Sequence, residues 1–283
     1  MAIRFEDIKP KIGSRVLWDD RADLFTEEAA KAIRAKVEER TVVVLPRVDL
    51  SDEEQLRITD LLGGRVKITG RNNVQDNESD DVYQVTLDAK INPQPEYVLG
   101  TFFWHMDGVT IDMPPPFATL LSCRRKAPVG GQTEFASTYA AYEGLPEAEK
   151  QALEGLKAVH SVKASLSHIA DAIPEKVRDA VIGIGLIKEH PIVWTHQSGR
   201  KSMIIGTTAD HVVDMPIPHG RALLVRLQEW AAQPDYSYRH EWQEGDFAIW
   251  DNTGAMHRVI PYEQRSGRMM HRTTIGGMES IAA

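Results

Sequence analysis

Cysteine is nearly absent from this 283-residue sequence, which contains Cys123 alone. A single cysteine excludes an intrachain disulfide and a zinc site built from several thiolates, and it fits a reducing cytosol. Long apolar runs are also missing, since no stretch approaches the roughly 18 apolar residues that a membrane-spanning helix needs. The N-terminal segment lacks the apolar core of a signal peptide. We therefore expect a cytoplasmic protein without a membrane partner.

An excess of basic residues is lacking as well. The chain carries 41 acidic and 33 basic residues, and its formal net charge is −8. Proteins that bind nucleic acids normally present a basic face, so no nucleic-acid partner is expected. The hydrophobic content of 42% and the charged content of 26% are ordinary for a soluble globular protein with a sizeable core.

Local sequence signals predict a mostly β protein with flanking helices. Thr26 can cap a helix that ends at Arg40, and the β-branched run Thr41–Leu45 reads as a buried strand. Ser51 and Glu54 form the capping box of a second helix. Further strands are predicted at Val82–Val85, Leu99–Met106, Ala118–Cys123, Thr133–Ala136, Tyr236–Trp242, Phe247–Trp250 and Met269–Ile275. A third helix is predicted at Gly220–Ala232.

Residues 144–190 differ from the segments around them. Leu145–Leu156 and Pro174–Ile182 have helical signals, which predicts a helical insertion near 144–190 in a single domain over 1–283. The Gly245-Asp246 pair predicts a hairpin between two strands, and the Gly130-Gly131 pair is interpreted as turn geometry alone. Together these signals indicate one β-sandwich or barrel core with helices packed outside it.

The segment Trp104-His105-Met106-Asp107 is the most informative part of the sequence. In a strand, residues two apart lie on the same face, so His105 and Asp107 could bind one metal ion. Chance alone would place roughly one such His-x-acid triplet in a chain of this composition. The triplet therefore needs support from elsewhere in the sequence.

Support comes from the C-terminal region, where a strand and a small-residue turn lead to His257. Arg268 and Arg272 follow, four residues apart, and in an extended strand they share a face. A guanidinium group binds carboxylates through two parallel hydrogen bonds. Two histidines with one carboxylate form the ligand set of non-haem Fe(II) oxygenases.

The sequence resembles the taurine/2,4-dichlorophenoxyacetate dioxygenase family of Fe(II)- and 2-oxoglutarate-dependent oxygenases from the Thr41–Pro46 strand to Gly276. The motifs that carry the resemblance are WHMD with Pro114–Pro116, PVGGQTEF at Pro128–Phe135, WDN…MHR at Trp250–Arg258 and RMMHRTTIGG at Arg268–Gly277. The resemblance implies that His105, Asp107 and His257 are the catalytic iron ligands and that O2 is consumed. It also implies a double-stranded β-helix, or jelly-roll, core.

The same resemblance assigns roles to residues around the iron ligands. Arg268 and the hydroxyl of Thr133 would bind the far carboxylate of 2-oxoglutarate, the co-substrate. Arg272 matches the position that pairs with an anionic group on the prime substrate. Tyr83 and Phe103 are candidates for the substrate pocket, although an aromatic residue near a strand is as often part of the core.

The expected prime substrate is a small, anionic and partly hydrophobic organic acid of the aryloxyalkanoate, sulfonate or other carboxylate type. Its hydroxylation would yield succinate and CO2 from 2-oxoglutarate. Thr101 stands where taurine-specific members carry asparagine, which argues against taurine. The stretches 65–95 and 160–190 are expected to set specificity as lids.

Three alternatives stay open at this point. The first is a biosynthetic 2-oxoglutarate-dependent hydroxylase of a non-acid substrate. The second is a metal-dependent jelly-roll enzyme, such as an isomerase or a thiol dioxygenase, that does not use 2-oxoglutarate. The third is a non-catalytic sensor with the same fold. The resemblance further suggests a homo-oligomer, either a dimer or a tetramer.

Overall fold

A large sheet forms the centre of the computed structural model, which describes residues 3–66, 82–92, 95–111, 114–176, 178–179 and 186–281. The strands are β1 (Ile3–Asp7), β2 (Ser14–Trp18), β3 (Val42–Leu45), β4 (Tyr83–Val85), β5 (Ala118–Arg125), β6 (Thr133–Ser137), β7 (Lys157–Ser161), β8 (Ile187–Pro191), β9 (Val193–Thr195), β10 (Lys201–Met203), β11 (Ala209–Val212), β12 (Ser237–His240), β13 (Phe247–Asp251), β14 (Ala255–Val259) and β15 (Met269–Ile275). The α-helices are α1 (Glu27–Arg40), α2 (Asp52–Leu62), α3 (Pro95–Gly100), α4 (Thr138–Glu143), α5 (Glu147–Leu153), α6 (Val162–Ser167) and α7 (Ile217–Ala231).

The largest sheet has seven strands in the order β1-β2-β3-β13-β5-β15-β4. Its side chains alternate between two apolar layers, as the period of a strand requires. In β3, Val43 and Leu45 pack with α1 and α2, whereas Val42 and Val44 face the other way. The sheet is therefore buried on both faces, which explains why Val42–Leu45 is apolar throughout.

A second sheet, in the order β12-β6-β14, covers the inner face of the large sheet. One buried cluster joins them: Leu121 and Ala248 come from the large sheet, and Phe135 and Ala255 come from the smaller one. This pairing of two mainly antiparallel layers confirms the predicted mostly β fold with a jelly-roll core. The inner faces of β5, β15 and β14 surround the site described below.

The helix starts follow the predictions. The hydroxyl of Thr26 accepts a hydrogen bond from the N–H of Ala29 at the start of α1. At the start of α2, Ser51 and Glu54 form the complete capping box. These caps depend on neighbouring residues only, which is why the sequence predicts them well.

The predicted strand at Leu99–Met106 is wrong. Leu99 lies in α3, the chain turns at 101–103, and only His105 forms a β-bridge. Phe102 and Phe103 favour a strand by propensity. Their rings instead pack in different directions, Phe102 on Tyr262 and Phe103 on His168, and tertiary packing overrides the local preference.

The predicted hairpin at Gly245-Asp246 is also wrong, because β12 and β13 belong to different sheets. The carboxylate of Asp246 accepts hydrogen bonds from the backbone N–H groups of Gln243 and Arg47. Gly245 supplies the positive φ of +88° that the turn needs. The segment thus carries the chain from one layer to the other.

The insertion near 144–190 is not wholly helical. It contains α5 and α6, but β7 and β8 pair within it, and β11 joins them in a three-stranded sheet. In the predicted helix at Pro174–Ile182, the described residues 175–176 and 178–179 are helical. Residues 177 and 180–182, like most of the loop 65–95, lie outside the described residues. Among the described residues, no helix has the length and apolar character to cross a bilayer.

Candidate active site

Two histidines from distant parts of the chain are fixed to each other by their backbones. The N–H of His105 donates to the carbonyl of His257 at 3.1 Å, and the N–H of His257 donates back at 2.9 Å. The ring centroids lie 4.1 Å apart. Because β14 holds His257 in register with Phe135 of β6, this reciprocal pair also fixes the position of His105.

Asp107 completes a cluster with these two histidines. Its two carboxylate oxygens lie 3.9 Å from Nε2 of His105 and 3.9 Å from Nε2 of His257, respectively. One ligand atom from each residue lies within 4.8 Å of the others. The carbonyl of Phe103 accepts a hydrogen bond from Nδ1 of His105 at 2.8 Å, which leaves the Nε2 lone pair of His105 directed toward the cluster.

The charge states in this cluster suit a divalent metal. Burial alone would raise the pKa of Asp107, but His257, Arg272 and His105 lower it, with help from Thr119, to about 2. Burial, with His105 nearby, lowers the pKa of His257 to about 3, so its ring is neutral. A carboxylate and neutral imidazoles are the forms that bind metal ions. This donor set fits ferrous iron.

Arg268 lies almost fully inside the protein, with 3% of its surface exposed. Its Nε donates to the carbonyl of Gly131 at 3.2 Å, and its guanidinium lies 4.9 Å from the ring centre of Tyr262. In the described part of the chain, no carboxylate forms an ion pair with it. Burying a charge without a partner lowers the stability of the fold by roughly several kcal/mol. The site thus lacks an anion that a dicarboxylic acid would supply.

Thr133, the second predicted 2-oxoglutarate contact, is buried at the start of β6. Its hydroxyl accepts a hydrogen bond from the indole N–H of Trp242 at 2.9 Å. That bond leaves the hydroxyl proton free to be donated to a carboxylate. Thr133 of β6 pairs with Val259 of β14, two residues after His257. Thr133 and His257 therefore lie along the same pair of strands.

The Gly130-Gly131 turn does more than change the chain direction, so its interpretation as turn geometry alone is incomplete. A Cβ on Gly131 would lie 3.0 Å from Cδ and Nε of Arg268, and a Cβ on Gly130 would lie 2.1 Å from the carbonyl of Pro261. Both have positive φ values. The two glycines therefore also make room for the Arg268 side chain and its loop.

Arg272 and Tyr83 meet at the edge of the large sheet, where β15 pairs with β4 in the register Arg272↔Tyr83. The guanidinium of Arg272 lies 5.1 Å from the centre of the Tyr83 ring. Its charge also reaches the metal-ligand cluster, because it lowers the pKa of Asp107. Arg272 and Tyr83 are thus neighbours of each other, and the charge of Arg272 acts on the metal-ligand cluster.

Phe103 is placed differently from the other candidates. Its ring stacks on His168, with centroids 4.9 Å apart, beside the apolar cluster of Leu166, Ile169 and Ile173. It lines a cavity of about 580 Å³ that also contains Trp104. Phe103 contributes to the site through its carbonyl, and a role of its ring in substrate binding stays a prediction.

Sequence reasoning missed several residues that surround the site. Thr119 donates a hydrogen bond to Asp107, Asn252 donates to Thr119, and Tyr262 lies over Arg268. The alternation of β5 could have placed Thr119 on the inner face with Leu121. The interpretation of Asp251 as a turn-holding residue is confirmed, since its carboxylate accepts bonds from the N–H and hydroxyl of Thr253.

Comparison with known proteins agrees with this geometry. Residues 4–274 match the family described as Taurine catabolism dioxygenase TauD, TfdA family. The alpha-ketoglutarate-dependent 2,4-dichlorophenoxyacetate dioxygenase of Cupriavidus pinatubonensis is 32% identical over 97% of this chain and 98% of its own length. The (S)-phenoxypropionate/alpha-ketoglutarate-dioxygenase of Sphingobium herbicidovorans is 28% identical over 84% and 83%, respectively. The structure of AAD-2 in complex with Mn(II) and N-oxalylglycine superposes with a TM-score of 0.80 and 27% identity, covering 99% of this chain and 100% of that one.

Proposed function

Because the chain belongs to the TauD/TfdA family of 2-oxoglutarate-dependent dioxygenases, we propose that it hydroxylates a small aryloxyalkanoate or a similar hydrophobic organic acid. The enzyme uses ferrous iron, 2-oxoglutarate and O2. One oxygen atom of O2 enters succinate as CO2 is released, and the other enters the substrate. Hydroxylation of a carbon that bears an ether oxygen gives a hemiacetal, which loses the alcohol or phenol.

Each residue of the cluster has one task in this proposal. His105, Asp107 and His257 hold the iron ion, which supplies the redox chemistry that the side chains cannot. His105 is oriented by the carbonyl of Phe103, and His257 by its position in β14. These three residues would supply only part of the ligand set of a ferrous ion, so the bound ion could also take up the co-substrate.

The observation that carries the co-substrate assignment is the buried Arg268. A guanidinium that lacks an acid partner in the described part of the chain is suited to a dicarboxylate, because its planar fork makes two charge-assisted hydrogen bonds. The buried hydroxyl of Tyr262, which lacks a well-aligned partner among the described residues, lies beside it. Thr133 can donate one further bond. N-oxalylglycine, bound in the AAD-2 structure, likewise carries two carboxylate groups.

Arg272 and Tyr83 support the proposed substrate class. A second cation near the metal ligands, beyond the one assigned to 2-oxoglutarate, favours a substrate with its own carboxylate or sulfonate. The ring of Tyr83 beside that cation offers an apolar surface for an aromatic or alkyl group. The names of the 2,4-dichlorophenoxyacetate and phenoxypropionate relatives fit the same substrate chemistry.

A substrate screen tests this proposal. Purified enzyme with Fe(II), ascorbate and 2-oxoglutarate is given aryloxyalkanoates, alkylsulfonates and the matching uncharged esters, and succinate is measured. We expect substrate-dependent succinate from the aryloxyalkanoate acids and little from their esters. Arg272→Ala should raise the KM for the acid about 100-fold, the cost of one charge-assisted pair. The KM for 2-oxoglutarate should stay unchanged.

Arg265 is an exposed arginine nearby in sequence, so Arg265→Ala is the matched control. It should change neither the KM for the acid nor the KM for 2-oxoglutarate. Turnover of esters as fast as acids would contradict the anionic-substrate proposal. A complete absence of succinate with every compound would instead support a jelly-roll enzyme that does not use 2-oxoglutarate. A homo-oligomer, dimer or tetramer, working in the cytoplasm is part of the same proposal.

A further inference from the structure

Asp107 is not held by regular secondary structure. The β-bridge ends at His105, and residues 107–110 form a turn. In the described part of the chain, one side chain donates a hydrogen bond to the Asp107 carboxylate. That donor is the hydroxyl of Thr119, 2.9 Å from Oδ2. The orientation of this carboxylate therefore depends on Thr119 much more than on its own backbone.

Thr119 is itself rigidly placed. It lies in β5 between β13 and β15, opposite Trp250 and Thr274, and its exposed fraction is 0%. Its hydroxyl oxygen accepts a hydrogen bond from Nδ2 of Asn252 at 2.8 Å. The backbone N–H of Asn252 donates to the carbonyl of Phe117 at 2.9 Å, so Asn252 is anchored to the residue that directly precedes the strand carrying Thr119.

Only one assignment of donors and acceptors is possible in this chain of hydrogen bonds. An ionised carboxylate can only accept, so Thr119 must donate its single proton to Asp107. The Thr119 oxygen must then accept from Asn252, which assigns the amide N and O of Asn252. The opposite orientation would direct Oδ1 of Asn252 at the hydroxyl and draw its proton away from Asp107.

We propose that Thr119 and Asn252 are positioning residues that fix Asp107 for metal binding. By occupying Oδ2, Thr119 holds the carboxylate so that Oδ1 faces Nε2 of His105. Asn252 aligns the hydroxyl and removes the alternative in which it rotates away. Groups that orient metal ligands in this manner typically contribute about 10- to 100-fold to metal affinity. The inference rests on the metal centre proposed above.

Metal affinity, measured apart from turnover, tests this role. Mn(II) is titrated into the full-length protein, and the free ion is followed by its electron paramagnetic resonance signal. Thr119→Val keeps the shape but removes the hydroxyl, and it should weaken Mn(II) binding about 10- to 100-fold. Thr119→Ser keeps the hydroxyl and should stay within about threefold of the native affinity. Asn252→Leu should fall between them, since Thr119 can still donate but is no longer aligned.

Thr59→Val is the matched control for loss of a buried threonine hydroxyl. Thr59 is fully buried in α2 and hydrogen-bonds Thr273 on the opposite face of the large sheet. The Thr59→Val substitution should lower the thermal midpoint of unfolding as Thr119→Val does, but it should leave the Mn(II) affinity unchanged. Native affinity in folded Thr119→Val, or equal losses in Thr119→Val and Thr59→Val, would overturn the inference.

His257→Ala separates this inference from the proposed function. If His257→Ala abolishes Mn(II) binding and Thr119→Val does not change it, the metal centre stands and the positioning role fails. If His257→Ala binds Mn(II) as the native protein does, the metal centre itself is wrong.

Discussion

Two carboxyl groups, half-buried Asp107 and buried Asp251, are connected through a single intervening pair of residues and have pKa values shifted in opposite directions. Asp107 is held at a pKa of about 2 because the nearby cation and imidazoles outweigh the effect of burial. Burial raises the pKa of Asp251 to about 6, although hydrogen bonds from Thr253 and Tyr139 oppose the shift. Asn252 and Thr119 connect the two sites.

The difference lies in what surrounds each group. Asp251 is satisfied by an N–H and two hydroxyl groups, and these neutral donors shape a turn. Asp107 and Arg268 instead carry full charges inside the protein, and these charges contribute little to the structure of the fold. Interior charges that the fold does not neutralise mark the place where a charged ligand binds. Three substitutions that remove one charge each can test this distinction.

The largest effect is expected from Asp107→Asn. The substitution keeps the shape of the side chain and its bond to Thr119, but it removes the anionic metal ligand. Substrate-dependent succinate formation should fall below detection and Mn(II) binding should be lost, while the circular dichroism spectrum stays native. Measurable turnover in Asp107→Asn would show that Asp107 is a structural carboxyl group like Asp251.

Arg268→Met should separate binding from stability. Loss of the charged fork should raise the KM for 2-oxoglutarate on the order of 100-fold. Without ligand, the thermal midpoint should stay equal or rise, because a buried unpaired charge is replaced by an apolar chain. The stabilisation by 2-oxoglutarate seen in the native protein with Mn(II) should disappear.

The exposed Arg265→Met should leave both the KM and the thermal midpoints unchanged. A fall in the ligand-free midpoint of Arg268→Met would mean that this charge serves the fold, contrary to the comparison.

Asp251→Asn should have the smallest effect, confined to the pH dependence of stability. The folded pKa of about 6 lies above the unfolded value of about 3.9, so the folded state binds the extra proton between these values. The stability that Asp251 contributes is therefore greatest below about pH 4 and is lost as pH rises through 6.

The Asp251→Asn substitution removes this pH-dependent loss of stability, because an amide does not titrate. Relative to the native protein, its free energy of unfolding should increase by about 2 kcal/mol between pH 4 and pH 7, as measured by urea unfolding. Parallel curves for the two proteins across that range would show that burial does not perturb Asp251.

The parts of the fold that the sequence predicts depend on neighbouring residues or on strong motifs. Thr26 and Ser51 cap helices through contacts three residues away, and the continuous apolar runs that begin β3 and β13 follow from burial on both faces of the large sheet. The spacing between His257 and Arg268 in the C-terminal motif indicates His257. Each of these signals lies within a short stretch of sequence, so no knowledge of the tertiary structure was needed.

The parts that the sequence does not predict depend on how distant strands align. Thr119 meets Asp107 because β5 lies between β13 and β15 in one particular register, and no local pattern contains that information. The expected strand at Leu99–Met106 does not form, because Phe102 and Phe103 pack against separate apolar clusters. Gly245 directs the chain between layers, although the same residues commonly form hairpins.

The backbone pairing of His105 with His257 also constrains when the metal site can form. About half of the chain lies between the two histidines, so joining them requires closure of a very long loop, and such contacts form slowly in folding. A ribosome-bound chain that ends before β14 contains His105 and Asp107 only, which is too few ligands to retain iron. On the proposed assignment, all three ligands are therefore brought together only once β14 has joined the rest of the fold.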